Sequence, residues 1–197
     1  MTSTALLSPV ASNRLKMLGL VSTTILAGLA MTGCSALGIE SKYDKTSTHE
    51  FATGTEGKEK DVVPAWVPDQ ATELKEIQRT TGNERILRMK YAGALPDSCI
   101  ALDSAGKPTA EELASGLKTE QGVKPDDIAD VVAKQYQTPL LSAEWWPTGK
   151  ENQSTHLCGK WWVSQESGVL YAFSPEQQRI AEPVLAEQAA KQRAEVK

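Results

Sequence analysis

The chain has 197 residues, 40% of them hydrophobic and 23% charged, with a formal net charge of −4. A mildly acidic balance without a basic stripe excludes nucleic acid as an expected partner. The length leaves room for one ordinary domain once the N-terminal stretch is set aside.

That stretch is read first. Arg14 and Lys16 supply positive charge, residues 17–30 are about fourteen mostly apolar positions, and no acid occurs before Glu40, which is the pattern of a secretory signal. A permanent span needs about twenty apolar residues, so residues 1–33 are expected to be removed. The run Met31, Thr32, Gly33, Cys34 resembles the lipobox of bacterial lipoproteins, with Met where Leu is usual. The resemblance implies that Cys34 becomes a diacylated N-terminus. Each buried methylene contributes about 0.8 kcal/mol and two chains hold stably, so the membrane is the first expected partner.

Assigning Cys34 to lipid leaves Cys99 and Cys158 as an even pair. In an oxidising compartment they are expected to form one disulfide, which would close a loop of about sixty residues and stabilise the domain by roughly 4 kcal/mol. Residues 34–61 are polar with scattered apolar positions, and such a composition cannot bury enough surface to order itself. They are expected to form a flexible tether, with a root-mean-square span of about 26 to 31 Å for about 27 residues. His49 falls inside it.

Residues 62–197 are expected to form the extracytoplasmic domain. Pro64 and Pro68 flank Trp66 and enforce an extended entry; Asp69 is placed to cap a short turn. A hairpin follows, with strands over 76–80 and 84–91 around Thr81, Gly82 and Asn83. In its second strand Leu87, Met89 and Tyr91 share the face expected to be buried, and Ile86, Arg88 and Lys90 the other. Cys99 follows the turn Pro96, Asp97, Ser98. Thr109 is an N-cap for a helix carrying Leu113 and Leu117. Beyond Gly122, Pro125 opens a second helix, with Asp126 and Asp127 complementing its dipole and a stripe of Ile128, Val131, Val132 and Tyr136.

Trp145 and Trp146 precede Pro147, and a second hairpin runs from Cys158 through Trp161, Trp162 and Val163, around residues 165–168, to a return strand over 169–173. Alternation splits each tryptophan pair: if Trp162 is buried, Trp161 is exposed. An exposed indole is a platform for sugars or apolar partners, which makes Trp145, Trp146, Trp161 and Trp162 the candidate binding surface, but the second ring of each pair is rather expected to cover a helix or the Pro147 loop. Pro175 and Glu176 start a last helix, interrupted or kinked at Pro183 and frayed at its end.

Catalytic and metal patterns are missing. Ser-x-x-Lys occurs at Ser104 and Ser115 without its partner motifs. His156 stands near Cys158, but two ligands do not make a zinc site, so neither metal nor cofactor is expected. A hydrolase using His156 with a carboxylate such as Glu144, and a small-molecule carrier with an enclosed apolar cavity, are the alternatives to a binding module.

Five segments resemble an uncharacterised group of small lipoproteins from high-GC Gram-positive bacteria. They are Trp66-Val67-Pro68-Asp69, Arg79-Thr80-Thr81-Gly82-Asn83-Glu84-Arg85, Trp145-Trp146-Pro147, Cys158-Gly159, and Leu170-Tyr171-Ala172-Phe173-Ser174-Pro175. The resemblance implies an α+β domain and carries no catalytic residue to transfer. The expected whole is a small α+β domain of antiparallel hairpins packed on two or three helices with one disulfide. It is expected to act at the outer membrane face as a non-enzymatic binding or envelope-accessory module for an envelope protein or glycan.

Overall fold

The computed structural model describes residues 41–120 and 122–196. The expected signal segment and Cys34 lie outside them. In chain order the elements begin with strand Thr46–Thr53 (β1), helix Gly54–Glu59 (α1) and strands Thr72–Arg79 (β2), Arg85–Lys90 (β3) and Cys99–Gly106 (β4). Helices Ala110–Leu117 (α2) and Ile128–Ala133 (α3) follow, then strands Gln135–Tyr136 (β5), Ser154–Cys158 (β6), Trp161–Glu166 (β7), Val169–Ser174 (β8) and Glu176–Gln177 (β9), and helix Gln178–Glu195 (α4). The class is α+β, as expected.

Seven strands make one antiparallel sheet in the order β1-β2-β3-β8-β7-β6-β4, and β5 pairs with β9 apart from it. The two expected hairpins are its centre, joined where β3 pairs with β8. The second closes through Ser167 and Gly168, whose φ values of 49° and 77° are those of a two-residue primed turn. The strand expected to run through Cys158 into Val163 is broken at Gly159, which turns at φ 62° and lets β6 pair back onto β7.

Three expectations change. Residues 34–61 are not all tether: β1 pairs along β2 from Thr46 opposite Arg79 to Thr53 opposite Thr72, and Thr53 caps α1 by accepting from the Glu56 amide. The polar composition hid this because an edge strand buries little of itself. The helical stripe ends before Tyr136, which joins β5 instead. The last helix starts at Gln178 and runs through Pro183 without interruption.

The sheet is covered on both sides: Leu87 and Met89 of β3 are buried as expected, and Ile86 on the other face is buried as well. Leu87 and Met89 pack with Leu74, Trp161, Val163, Leu170 and Ala172 beneath Val63, Val67 and Ala71, on what is called face A. On the opposite face B, Ile86 packs with Leu157, Trp162 and Phe173 beneath Leu113, Leu141 and Trp146. Helix α2 reaches this face through a capping box, Thr109 accepting from the Glu112 amide and Glu112 from that of Thr109. Cys99 and Cys158 form the expected disulfide, directly opposite each other on β4 and β6 with Cα atoms 4.2 Å apart.

One buried cation ties the segment before β1 and strand β9 to the first hairpin. Arg79, at the end of β2, binds Asp44, donates to Glu84 Oε2 at 2.9 Å and stands 3.6 Å from Glu176 Oε2. Its side chain and those of Glu84 and Glu176 have no exposed surface. The acids are held by backbone donors as well: Glu84 accepts from the amides of Leu140 and Leu141, and Glu176 from those of Asn83, Glu84 and Gln177. Gly82 is required here, because a Cβ at that position would fall 2.0 Å from Glu176 Oε2. Burial pushes the Glu84 carboxyl up, against the pull of its amide donors and Arg79.

Removing a single partner from a buried ion cluster leaves uncompensated charge. Arg79→Met is therefore expected to lower the unfolding free energy by about 3 to 5 kcal/mol in urea denaturation. A change below about 1 kcal/mol would remove Arg79 from its central place.

Candidate functional site

Burial decides among the tryptophans. Trp161 and Trp162 are 2% and 1% exposed and Trp146 is 8%, so three of the four residues expected to form a binding surface are core. The alternation holds, and the second ring is covered, as expected of it, because both faces of the sheet are packed. Trp161 points into face A, edge-on to Trp66 with ring centroids 6.1 Å apart, and Trp162 into face B, edge-on to Phe173 at 5.4 Å. Trp145 alone keeps part of its ring in solvent.

Around Trp145 the structure assembles residues that the sequence reading did not connect. Trp145 meets Trp146 edge-on at 6.5 Å, Trp146 meets Tyr171 at 5.9 Å, and the Lys150 ammonium lies 4.9 Å from the Tyr171 ring centroid. Lys150 is fixed by Gln153 Oε1 at 2.9 Å and Glu166 Oε2 at 2.8 Å. Pairing across the strands continues this cluster as a row on face B: Tyr171 stands opposite Arg88, Arg88 opposite Lys75, and Lys75 opposite Glu50. None of the four is buried. Lys75 is paired with Glu50 at 3.2 Å and nearby Lys90 with Glu73 at 2.6 Å, whereas Arg88 has no ion pair among the described residues. The signal for this row is present in the sequence: Arg88 alternates with Leu87 and Met89 and so stands on the face opposite theirs.

The two histidines stand far apart. His49 and His156 occupy opposite ends of one row across face A, five strand spacings or roughly 24 Å apart. His156 Nδ1 meets Thr155 Oγ1 at 2.9 Å. Glu144, its expected partner in a hydrolase, belongs to the loop whose Leu141, Ala143, Trp145 and Trp146 lie against face B, on the other side of the sheet. Ser115 donates to the Glu111 carbonyl within α2, an ordinary helical back-bond. Asp126 and Asp127 open a short 3-10 turn ahead of α3.

Among the described residues no group of three or more His, Cys, Asp and Glu side chains is placed to hold a metal ion. No helix among them is long and apolar enough to cross a membrane. Both faces under the sheet are filled with side chains; the depression between α2 and α3, about 290 Å³ and lined by Ala110, Ala114, Ala129 and Val132, opens to the surface. No family model, curated protein or solved structure matches this chain.

The division of the tryptophans has a direct test. Trp161→Ala is expected to cost about 3 to 5 kcal/mol of stability, whereas Trp145→Ala should cost roughly 1 kcal/mol. Equal losses in chemical denaturation would mean that Trp145 is as much a core residue as Trp161.

Proposed function

We propose that the protein is a lipid-anchored extracytoplasmic binding module, held through Cys34 and recognising an anionic envelope glycan. The observation that carries the binding assignment is the solvent-reachable row of Lys75, Arg88 and Tyr171 on face B, leading to the Trp145 cluster. Aromatic faces stack on sugar rings, and a guanidinium without a protein counter-ion is a bidentate receiver for a carboxylate or phosphate. A polymer presenting rings with acidic groups beside them satisfies both.

Two features support the address. The lipobox-like run ending at Cys34 follows a signal-like segment, and the disulfide between Cys99 and Cys158 suits an oxidising compartment. The folded body is in place by Ser41, whose hydroxyl donates to Glu187 of α4 beside the amides of Lys42, Tyr43 and Asp44. Seven Cα steps from Cys34 to Ser41 reach at most about 25 Å, so the module works close to the membrane surface. The hydrolase alternative loses its pairing of His156 with Glu144, because the loop that carries Glu144 lies against the other face of the sheet.

The anchor is tested by metabolic labelling with a radioactive fatty acid. Wild type is expected to incorporate label and Cys34→Ala to lose it; equal incorporation contradicts the anchor. The surface is tested with a soluble acidic polysaccharide such as polygalacturonate in affinity electrophoresis. Arg88→Ala and Trp145→Ala should each weaken retardation about tenfold or more, with the Arg88 contribution falling as salt rises. Retention unchanged in both variants would remove this face from the function.

A further inference from the structure

Glu76 is a fully buried acid that neither the Arg79 cluster nor the proposed binding row uses. It lies on face A with 0% of its surface exposed; Oε1 is 3.4 Å from Arg85 Nη1, and Oε2 has no hydrogen-bond partner. The same Arg85 nitrogen donates to the Val62 carbonyl at 2.9 Å. Val62 opens the segment 62–71, which covers this face through Val63, Trp66, Val67 and Ala71. One guanidinium nitrogen thus joins a half-satisfied buried acid to the piece of chain that keeps it dry.

We propose that the Glu76, Arg85 and Val62 chain is a proton-operated latch, and that loss of the Glu76 proton loosens the segment 62–71 from the sheet. Three facts about the closed state carry this. The acid is sealed in, one of its oxygens has nothing to bind when charged, and its single cation is shared with the cover. Burial pushes the Glu76 carboxyl up from its ordinary 4.5 to about 7, against the opposing pull of Arg85. Lifting the cover admits water and returns the group toward its ordinary value.

The sign follows from proton linkage. The closed state binds the proton more tightly, so it is favoured in full below about pH 4.5 and loses that advantage as the pH rises to about 7, above which nothing further is lost. Opening therefore releases a proton, and alkaline conditions favour it.

Other charged groups around Glu76 have different partners or face water. His49, directly across on β1, meets Ser47 Oγ at 3.1 Å and Gln78 Nε2 at 3.2 Å. On α1, Glu56 accepts from the Ala52 amide and Lys58 pairs with Asp69 of the cover, while Glu59, Lys60 and Asp61 are exposed.

Hydrogen exchange of the whole protein, followed by mass spectrometry from pH 5 to 8 and corrected for intrinsic exchange, tests the latch. Opening of residues 62–71 is expected to rise about tenfold per pH unit and level off near 7. Glu76→Gln should flatten that profile, and His49→Gln should preserve it. Arg85→Gln should move the plateau to higher pH, because the cation that holds the carboxyl down is gone. A flat wild-type profile overturns the proposal without recourse to any variant, and a slope surviving in Glu76→Gln overturns it equally.

Discussion

The structure turns on one guanidinium shared by three carboxylates. Arg79 meets Asp44 from the N-terminal segment, Glu84 from the turn of the first hairpin, and Glu176 from the strand that leads into α4. Three acids around one cation would repel each other if they relied on it alone. They do not: Glu84 and Glu176 are also wrapped by main-chain amides, and backbone donors aimed at a carboxylate stabilise its charged form. Their geometry brings together segments far apart in sequence. With Glu187 receiving the amides of residues 42–44, the start of the folded body is locked to α4.

From that junction the sheet extends to the disulfide at its other side. Reading across one row of face A gives Ser47, Gln78, Arg85, Ser174, Trp161, Cys158 and Cys99. It passes from an ion-paired arginine to a packed tryptophan and then a covalent link. Face A is closed by a stretch of irregular chain, and such a cover depends on side-chain packing and a few hydrogen bonds rather than on a regular ladder. This makes it the natural place for a local opening. Face B is closed by α2, α3 and the loop 138–147 over its central row, and beside that row Lys75, Arg88 and Tyr171 are not buried.

Periodic apolar residues and turn chemistry made the two hairpins, α2 with its cap, and the start of α3 legible in the sequence. Cysteine parity made the disulfide legible. The tryptophan pairs were half legible: period-two alternation says that Trp161 and Trp162 point opposite ways, but not whether either side is solvent. Strand β1 was hidden because Thr, Ser, His and Glu on an edge look like a linker. Arg79, Glu84 and Glu176 could not be joined by inspection, since their meeting depends on a contact across more than ninety residues. Glu76 did leave a trace, lying in phase with Leu74 on the face that turns inward.

The central claim is that residues 41–61 belong to the fold, held by the Asp44 contact to Arg79 and by β1 on β2. Thermal unfolding of two truncated forms, residues 41–197 and 62–197, followed by circular dichroism with the disulfide intact, tests it most directly. The longer form should unfold in one cooperative transition, and the shorter should lose that transition or show a midpoint lower by many degrees. A cooperative transition at the same temperature in both would contradict the account.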